Sequence, residues 1–89
     1  MDIVFTKHAQ EKFVLLKRFG VHITAQKVIE TVRIPQSIDY SRCPLLIAQA
    51  SLDRSHVVRV VYREESNQKI IITFYPGRKT HYEKENIQT

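Results

Sequence analysis

Apolar residues fall along this chain in two different rhythms, helical in the first third and strand-like after it. Asp2 to Phe5 is a short apolar run fit for a strand, and Thr6 after it is a helix N-cap type. From Lys7 to Phe19 the residues Ala9, Phe13 and Leu16 recur at helical spacing, and Gly20 supplies a stop. Thr24 opens a second helix. Ile23 before it and Val28 within it form a hydrophobic staple, and Val28, Ile29 and Val32 make its buried stripe. Ile34-Pro35 ends this helix, because the residue before proline is driven out of helical backbone geometry.

Strand signals fill the rest. Gln36 to Ser41 places Ile38 and Tyr40 on one face and Asp39 on the other, and Arg42-Cys43-Pro44 turns the chain. Leu45 to Leu52 is nearly continuous in apolar or small residues, the mark of a central strand. Asp53-Arg54-Ser55 then leads into a hairpin, His56 to Arg63 and Lys69 to Tyr75, separated by the polar loop Glu64 to Gln68. With Arg63 opposite Lys69, one face carries Val58, Val60, Tyr62, Ile70, Ile72 and Phe74 and is a core. The other carries Arg59, Arg63, Lys69, Thr73 and Tyr75 among Val57, Val61 and Ile71. A slip by one residue would dissolve that second grouping. The order strand, helix, helix, strands predicts an α+β domain whose two helices cover one face of an antiparallel sheet, the first strand adding at an edge. The other face is expected to stay open.

The 89 residues suffice for one domain, taken as 1–89 with 83–89 expected to fray. A hydrophobic fraction of 43% with 26% charged residues is that of a folded protein. The net charge of +5 points to an acidic partner, nucleic acid or acidic protein. Cys43 is the single cysteine, so no intrachain disulfide forms, which fits a reducing compartment. No signal peptide or membrane-length apolar run is visible, so a cytoplasmic location without membrane association is expected.

Phe5-Thr6-Lys7-His8-Ala9 entering a helix, a second helix ending at Pro35, and a last strand ending Ile72-Thr73-Phe74-Tyr75-Pro76 resemble a bacterial family of small proteins. That family is similar to the BrnT and RelE toxins of type II toxin–antitoxin systems. The likeness runs from about Ile3 to Tyr82. Lys12 stands where the wider family commonly has arginine, and Lys17 or Arg18 takes its second basic position. The resemblance implies a RelE-like fold with RNA on the open sheet face. It also implies metal-free cleavage of messenger RNA, often on the ribosome, and neutralisation by an antitoxin protein encoded nearby.

Such a ribonuclease needs a base for the ribose 2′-hydroxyl, cations for the phosphate and an acid for the leaving oxygen. Arg59, Arg63 and Arg78 suit the phosphate, since the guanidinium fork pairs with two of its oxygens. His8, His81 and Tyr82 are the proton-transfer candidates, with Lys12 or Lys79 as bases only at depressed pKa. Lys12 lies inside the apolar arc of the first helix, so it either extends along the core to the rim or reaches a site. The catalytic set is therefore His8, Lys12, Arg59, Arg78, His81 and Tyr82, and the RNA-binding set Arg63, Lys69, Thr73, Tyr75 and Lys79. Tyr75 and Tyr82 could stack on bases or finish the core. His22 and His56 fall at turns or strand ends and read as structural. No histidine pair has helical metal-ligand spacing, so no metal or cofactor is expected. Two alternatives stand beside cleavage: a catalytically inactive module that binds RNA or antitoxin, and a ParE-like toxin directed at gyrase.

Overall fold

A computed structural model describes residues 1–83 of the chain. Of the residues 83–89 expected to fray, Glu83 is described and donates its amide to the Lys79 carbonyl at 2.8 Å; 84–89 lie outside the described residues. Its elements are β1 (Asp2–Phe5), α1 (Lys7–Arg18), α2 (Ala25–Arg33), β2 (Ser37–Asp39), β3 (Leu46–Ser51), β4 (His56–Glu65), β5 (Gln68–Arg78) and the short α3 (Lys79–Tyr82). They make an α+β domain around one five-stranded sheet of order β1-β5-β4-β3-β2. The sheet is mixed rather than antiparallel: β1 lies at an edge and pairs parallel to β5. That pairing follows from the chain's path, since α1 and α2 intervene before the meander begins and β1 returns alongside the last strand.

Both threonine caps form. Thr6 Oγ1 accepts from the Ala9 amide at 3.1 Å, and Thr24 Oγ1 from the Lys27 amide at 3.1 Å. Gly20, at φ +78°, takes the left-handed conformation just beyond α1, where a Cβ would be strained. Ala9 of α1, Ile23, and Val28 and Val32 of α2 share one buried cluster with Ala48, Ala50, Val58, Val60, Tyr62, Ile71 and Phe74. Cross-strand partnership places Ala48, Val60 and Phe74 on a single side of the sheet, here the Val58 face.

The hairpin differs from the expected register. Its loop is only Ser66-Asn67, both at positive φ (50° and 62°), the type I′ geometry whose twist matches paired strands. Arg63 therefore lies opposite Ile70, and Glu64 opposite Lys69, so the like-charge pairing at the hairpin mouth does not arise. A bulge between Val61 and Tyr62 leaves Ile72 unpaired: Val61 faces Thr73 while Tyr62 faces Ile71. Beyond the bulge Arg59 faces Tyr75. The result moves Lys69 and Ile71 to the Val58 face and Ile70 to the Arg59 face, the reverse of the simple alternation.

The bulge also anchors α1. Thr6 donates from its amide to the Ile71 carbonyl at 3.1 Å and from its hydroxyl to the same carbonyl at 2.9 Å, with the Ile72 carbonyl at 3.3 Å. One residue thus caps the helix and fastens it to irregular backbone.

Candidate functional site

Arg59 is the most constrained cation among the described residues. It is 7% exposed, and its Nε donates to the Tyr75 hydroxyl at 3.2 Å and its Nη2 to Asp39 Oδ2 at 2.9 Å. Its Nη1 donates to Gln49 Oε1, another buried group. These partners come from β2, β3 and β5 and share the Arg59 face because the ladders pair Gln49 with Arg59 and Arg59 with Tyr75. Burial works against the guanidinium charge, but the bonds to Tyr75 and Asp39 outweigh it and raise the pKa. Asp39, held by Ser41's side chain and amide and then by Arg59, drops from 3.8 to about 2.

The tail closes over this cation. The Tyr82 ring centroid lies 4.2 Å from Arg59 Cζ, a cation–π stack. The same ring covers Gly77 so closely that a Cβ there would come within 2.3 Å of Tyr82 Cε2. Gly77 was not among the residues expected to matter, and only the absence of its side chain lets the tail lie down. Val57, partner of Gly77, is fully buried. The Arg59 face is therefore not open at Arg59, contrary to expectation, and its guanidinium is engaged by protein on every branch.

The other expected site residues scatter. Arg78 follows Gly77 and pairs with His56, so strand alternation assigns it to the Val58 face and not to the side of Arg59. Lys69 Nζ donates to the Val32 carbonyl near the end of α2 at 3.3 Å and lies 5.7 Å from the Tyr62 ring centroid, which occupies it structurally. Arg63 pairs with Glu65 at 3.3 Å on the surface. Thr73 shares the Arg59 face, and its hydroxyl is buried with no hydrogen-bond partner among the described residues. His8 is exposed and Lys12 half-buried on α1; among the described residues neither bonds to any other member of the proposed set. His81 is exposed on α3 with its ring edge-on to Tyr82, centroids 4.5 Å apart. Lys79 donates its amide to the Ser55 carbonyl at 2.9 Å, tying the tail to the β3–β4 turn.

A second constellation lies at that turn. A cleft of about 370 Å³ is lined by His22, Leu52, Asp53, His56, Pro76 and Gly20. Asp53 Oδ1 accepts from the Ser55 amide (2.9 Å), the His56 amide (2.8 Å) and His56 Nδ1 (3.0 Å). Hydrogen bonds from Ser55 and His56 lower the Asp53 pKa. An ionised carboxylate only accepts, so the Nδ1 carries the hydrogen and Nε2 is left for a ligand. Arg78 stands across the ladder from His56. Sequence reasoning assigned His22 and His56 to structure; the motif Asp53-x-x-His56, an acid three residues before an imidazole in a turn, was the available signal.

Among the described residues no three His, Cys, Asp or Glu side chains are placed to hold a metal ion, and no helix is long and apolar enough to cross a membrane. No family model, curated protein or solved structure matches the chain.

Proposed function

We propose that the chain is the toxin of a type II toxin–antitoxin pair, RelE-like in fold, that binds messenger RNA in the cytoplasm and cleaves it without a metal. In this reading α1 and α2 form the layer on the Val58 face, and RNA lies around the C-terminal end of β5. The observation that carries it is the succession of Arg78 and Lys79 along the chain, with His81 two residues on, none with an ion pair among the described residues in a chain of net charge +5. Cations left without carboxylates attract a polyanion. Arg59 then holds the platform together, and Tyr82, stacked upon it, presents an aromatic edge beside His81.

Controlled expression with mapping of RNA ends tests the proposal. Growth arrest with new 5′-hydroxyl ends is expected, and arrest without them refutes cleavage; DNA damage with intact messenger RNA would assign the chain to gyrase instead.

A second reading, RNA or antitoxin binding without chemistry, is favoured by the engagement of Arg59, which bonds to neither His8 nor Lys12. It predicts steeply salt-dependent RNA binding by protein that never cuts. In either case Arg78→Ala should reduce the salt slope by about 0.7, one phosphate contact on a single strand.

A further inference from the structure

We infer that two copies of this chain meet through the outward face of α1, as an antiparallel helix pair about a two-fold axis that passes between Val14 and Leu15. The inference is independent of the RNA reading. Ala9, Phe13 and Leu16 turn one side of α1 into the core cluster. On the other side Val14 and Leu15 are 59% and 45% exposed, and Phe19, the C-cap residue, is 76% exposed. Large apolar side chains this close together on one helix exceed the scattered exposure that is ordinary on a protein surface. A shallow groove of about 290 Å³ is lined by Glu11, Val14, Leu15 and Arg18. Their i, i+3, i+4, i+7 spacing is that by which a helix presents one face to a neighbour.

The occupant follows from the order of these four residues. At about 100° per residue, Glu11 and Arg18 lie within about 20° of each other around the helix, and Val14 and Leu15 flank them about 50° to either side. Both pairs share one midpoint, between positions 14 and 15. A two-fold axis through that point sets Glu11 against the partner's Arg18, Arg18 against the partner's Glu11, and Val14 against the partner's Leu15. Packed helices run about 8–10 Å apart, within reach of both long side chains. Neither Glu11 nor Arg18 has an ion pair among the described residues. Glu11 is also the single acid of α1, beside Lys7, Lys12, Lys17 and Arg18. Lys7 shares the face, but its symmetric position is the partner's His22, past the end of that helix. A polyanion would meet Glu11 and two aliphatic side chains here, and a wholly apolar surface would desolvate both charges unpaired. A second copy satisfies all four residues at once, in the self-complementary manner of a two-fold interface. One helix from each side makes a contact smaller than the about 1,200–2,000 Å² of a standard interface, so the dimer is expected to be weak, with a Kd of about 0.1 mM.

Sedimentation equilibrium of the full chain, from about 10 μM to about 1 mM to bracket that Kd, tests the inference. The apparent mass should climb toward twice that of one chain. Glu11→Arg sets cation against cation at both ends of the pair, and Arg18→Glu sets acid against acid. Each should weaken association at least about tenfold, because two attractive contacts become repulsive. Leu15→Ser should weaken it as well, through the apolar contact. An equimolar mixture of the Glu11→Arg and Arg18→Glu chains should associate again, since each then faces its opposite charge at both ends, and the double variant should behave as wild type. All three side chains point away from the core, so melting temperatures near wild type are expected and separate lost association from lost folding.

A chain that stays monomeric throughout the concentration range overturns the inference. So does a dimer that is indifferent to both charge reversals, which would place the interface elsewhere. Single variants that are monomeric but fail to associate when mixed overturn the antiparallel pairing of Glu11 with Arg18.

Discussion

Arg59→Ala should unfold the chain more readily, and the size of the effect follows from what surrounds the guanidinium. Gln49 is 6% exposed and would lose its donor inside the protein, at about 1–3 kcal/mol for a buried unsatisfied acceptor. The stack beneath Tyr82 contributes about 0.5–2 kcal/mol. Asp39 adds little, because its side chain is 36% exposed and water replaces the lost partner. Together these give about 1.5–5 kcal/mol, against a typical stability of about 5–15 kcal/mol for such a domain. At about 4–8 °C per kcal/mol for a domain of this size, the melting temperature should fall by about 6–40 °C. Urea denaturation with far-UV circular dichroism measures the same quantity, and Arg59→Met, which keeps an apolar stem in the stack, should lose less. A midpoint equal to wild type, with RNA binding or cleavage lost, would refute the structural assignment and return Arg59 to the substrate.

Acid should expose Asp39's role. A carboxyl whose folded pKa is depressed adds stability that is present above the unfolded value and lost as pH falls through the folded one. Here the window runs from 3.8 down to about 2. Asp39→Asn should flatten the stability slope in that window; an unchanged slope counts against the Ser41 and Arg59 contacts. Gly77→Ala puts a Cβ where the Tyr82 ring lies, 2.3 and 2.7 Å from its Cε2 and Cδ2. The ring sits on a short terminal helix and can swing off, so the cost should be about 1 kcal/mol with earlier proteolysis of the tail; a tail as protected as wild type would contradict the packing.

The helices were legible because their signals are local: Thr6 and Thr24 precede apolar periodicity, and Gly20 and Pro35 follow it. Strand existence was legible for the same reason. The hairpin register was not, because Lys69 to Phe74 contains three consecutive isoleucines, and nothing in an unbroken apolar run tells which residue the partner strand skips. Ile72 is skipped, so the expected faces of Lys69, Ile70 and Ile71 are exchanged while those of Thr73 and Tyr75 survive. The candidate site suffered a different failure. Arg78 lies one residue past the glycine on which Tyr82 packs, and parity alone separates it from Arg59. His22 and His56 come from distant turns, and their meeting across one cleft is a consequence of the tertiary path between β3, β4 and the α1–α2 loop.

The bulge at Ile72 gives the hairpin and α1 a common origin, and the two threonine caps provide a way to measure that. Thr24 caps α2 by accepting from the Lys27 amide at 3.1 Å, so Thr24→Ala should cost about 1 kcal/mol. Thr6 makes the equivalent bond to Ala9 and also donates its hydroxyl to the Ile71 carbonyl at 2.9 Å. Thr6→Ala therefore removes a cap and a bond to the bulge, for about 2 kcal/mol in total. The difference between the two variants, about 1 kcal/mol, is the contribution of docking the helix onto irregular backbone. Thr6→Ser should restore it, since serine keeps both the acceptor and the donor. Hydrogen exchange gives an independent reading: the Ala9 amide should lose protection in Thr6→Ala, along with amides of β5 beside Ile72, while Thr24→Ala should affect α2 alone. Equal losses for the two substitutions, or β5 protection untouched by Thr6→Ala, would show that α1 and the bulge are neighbours without being coupled.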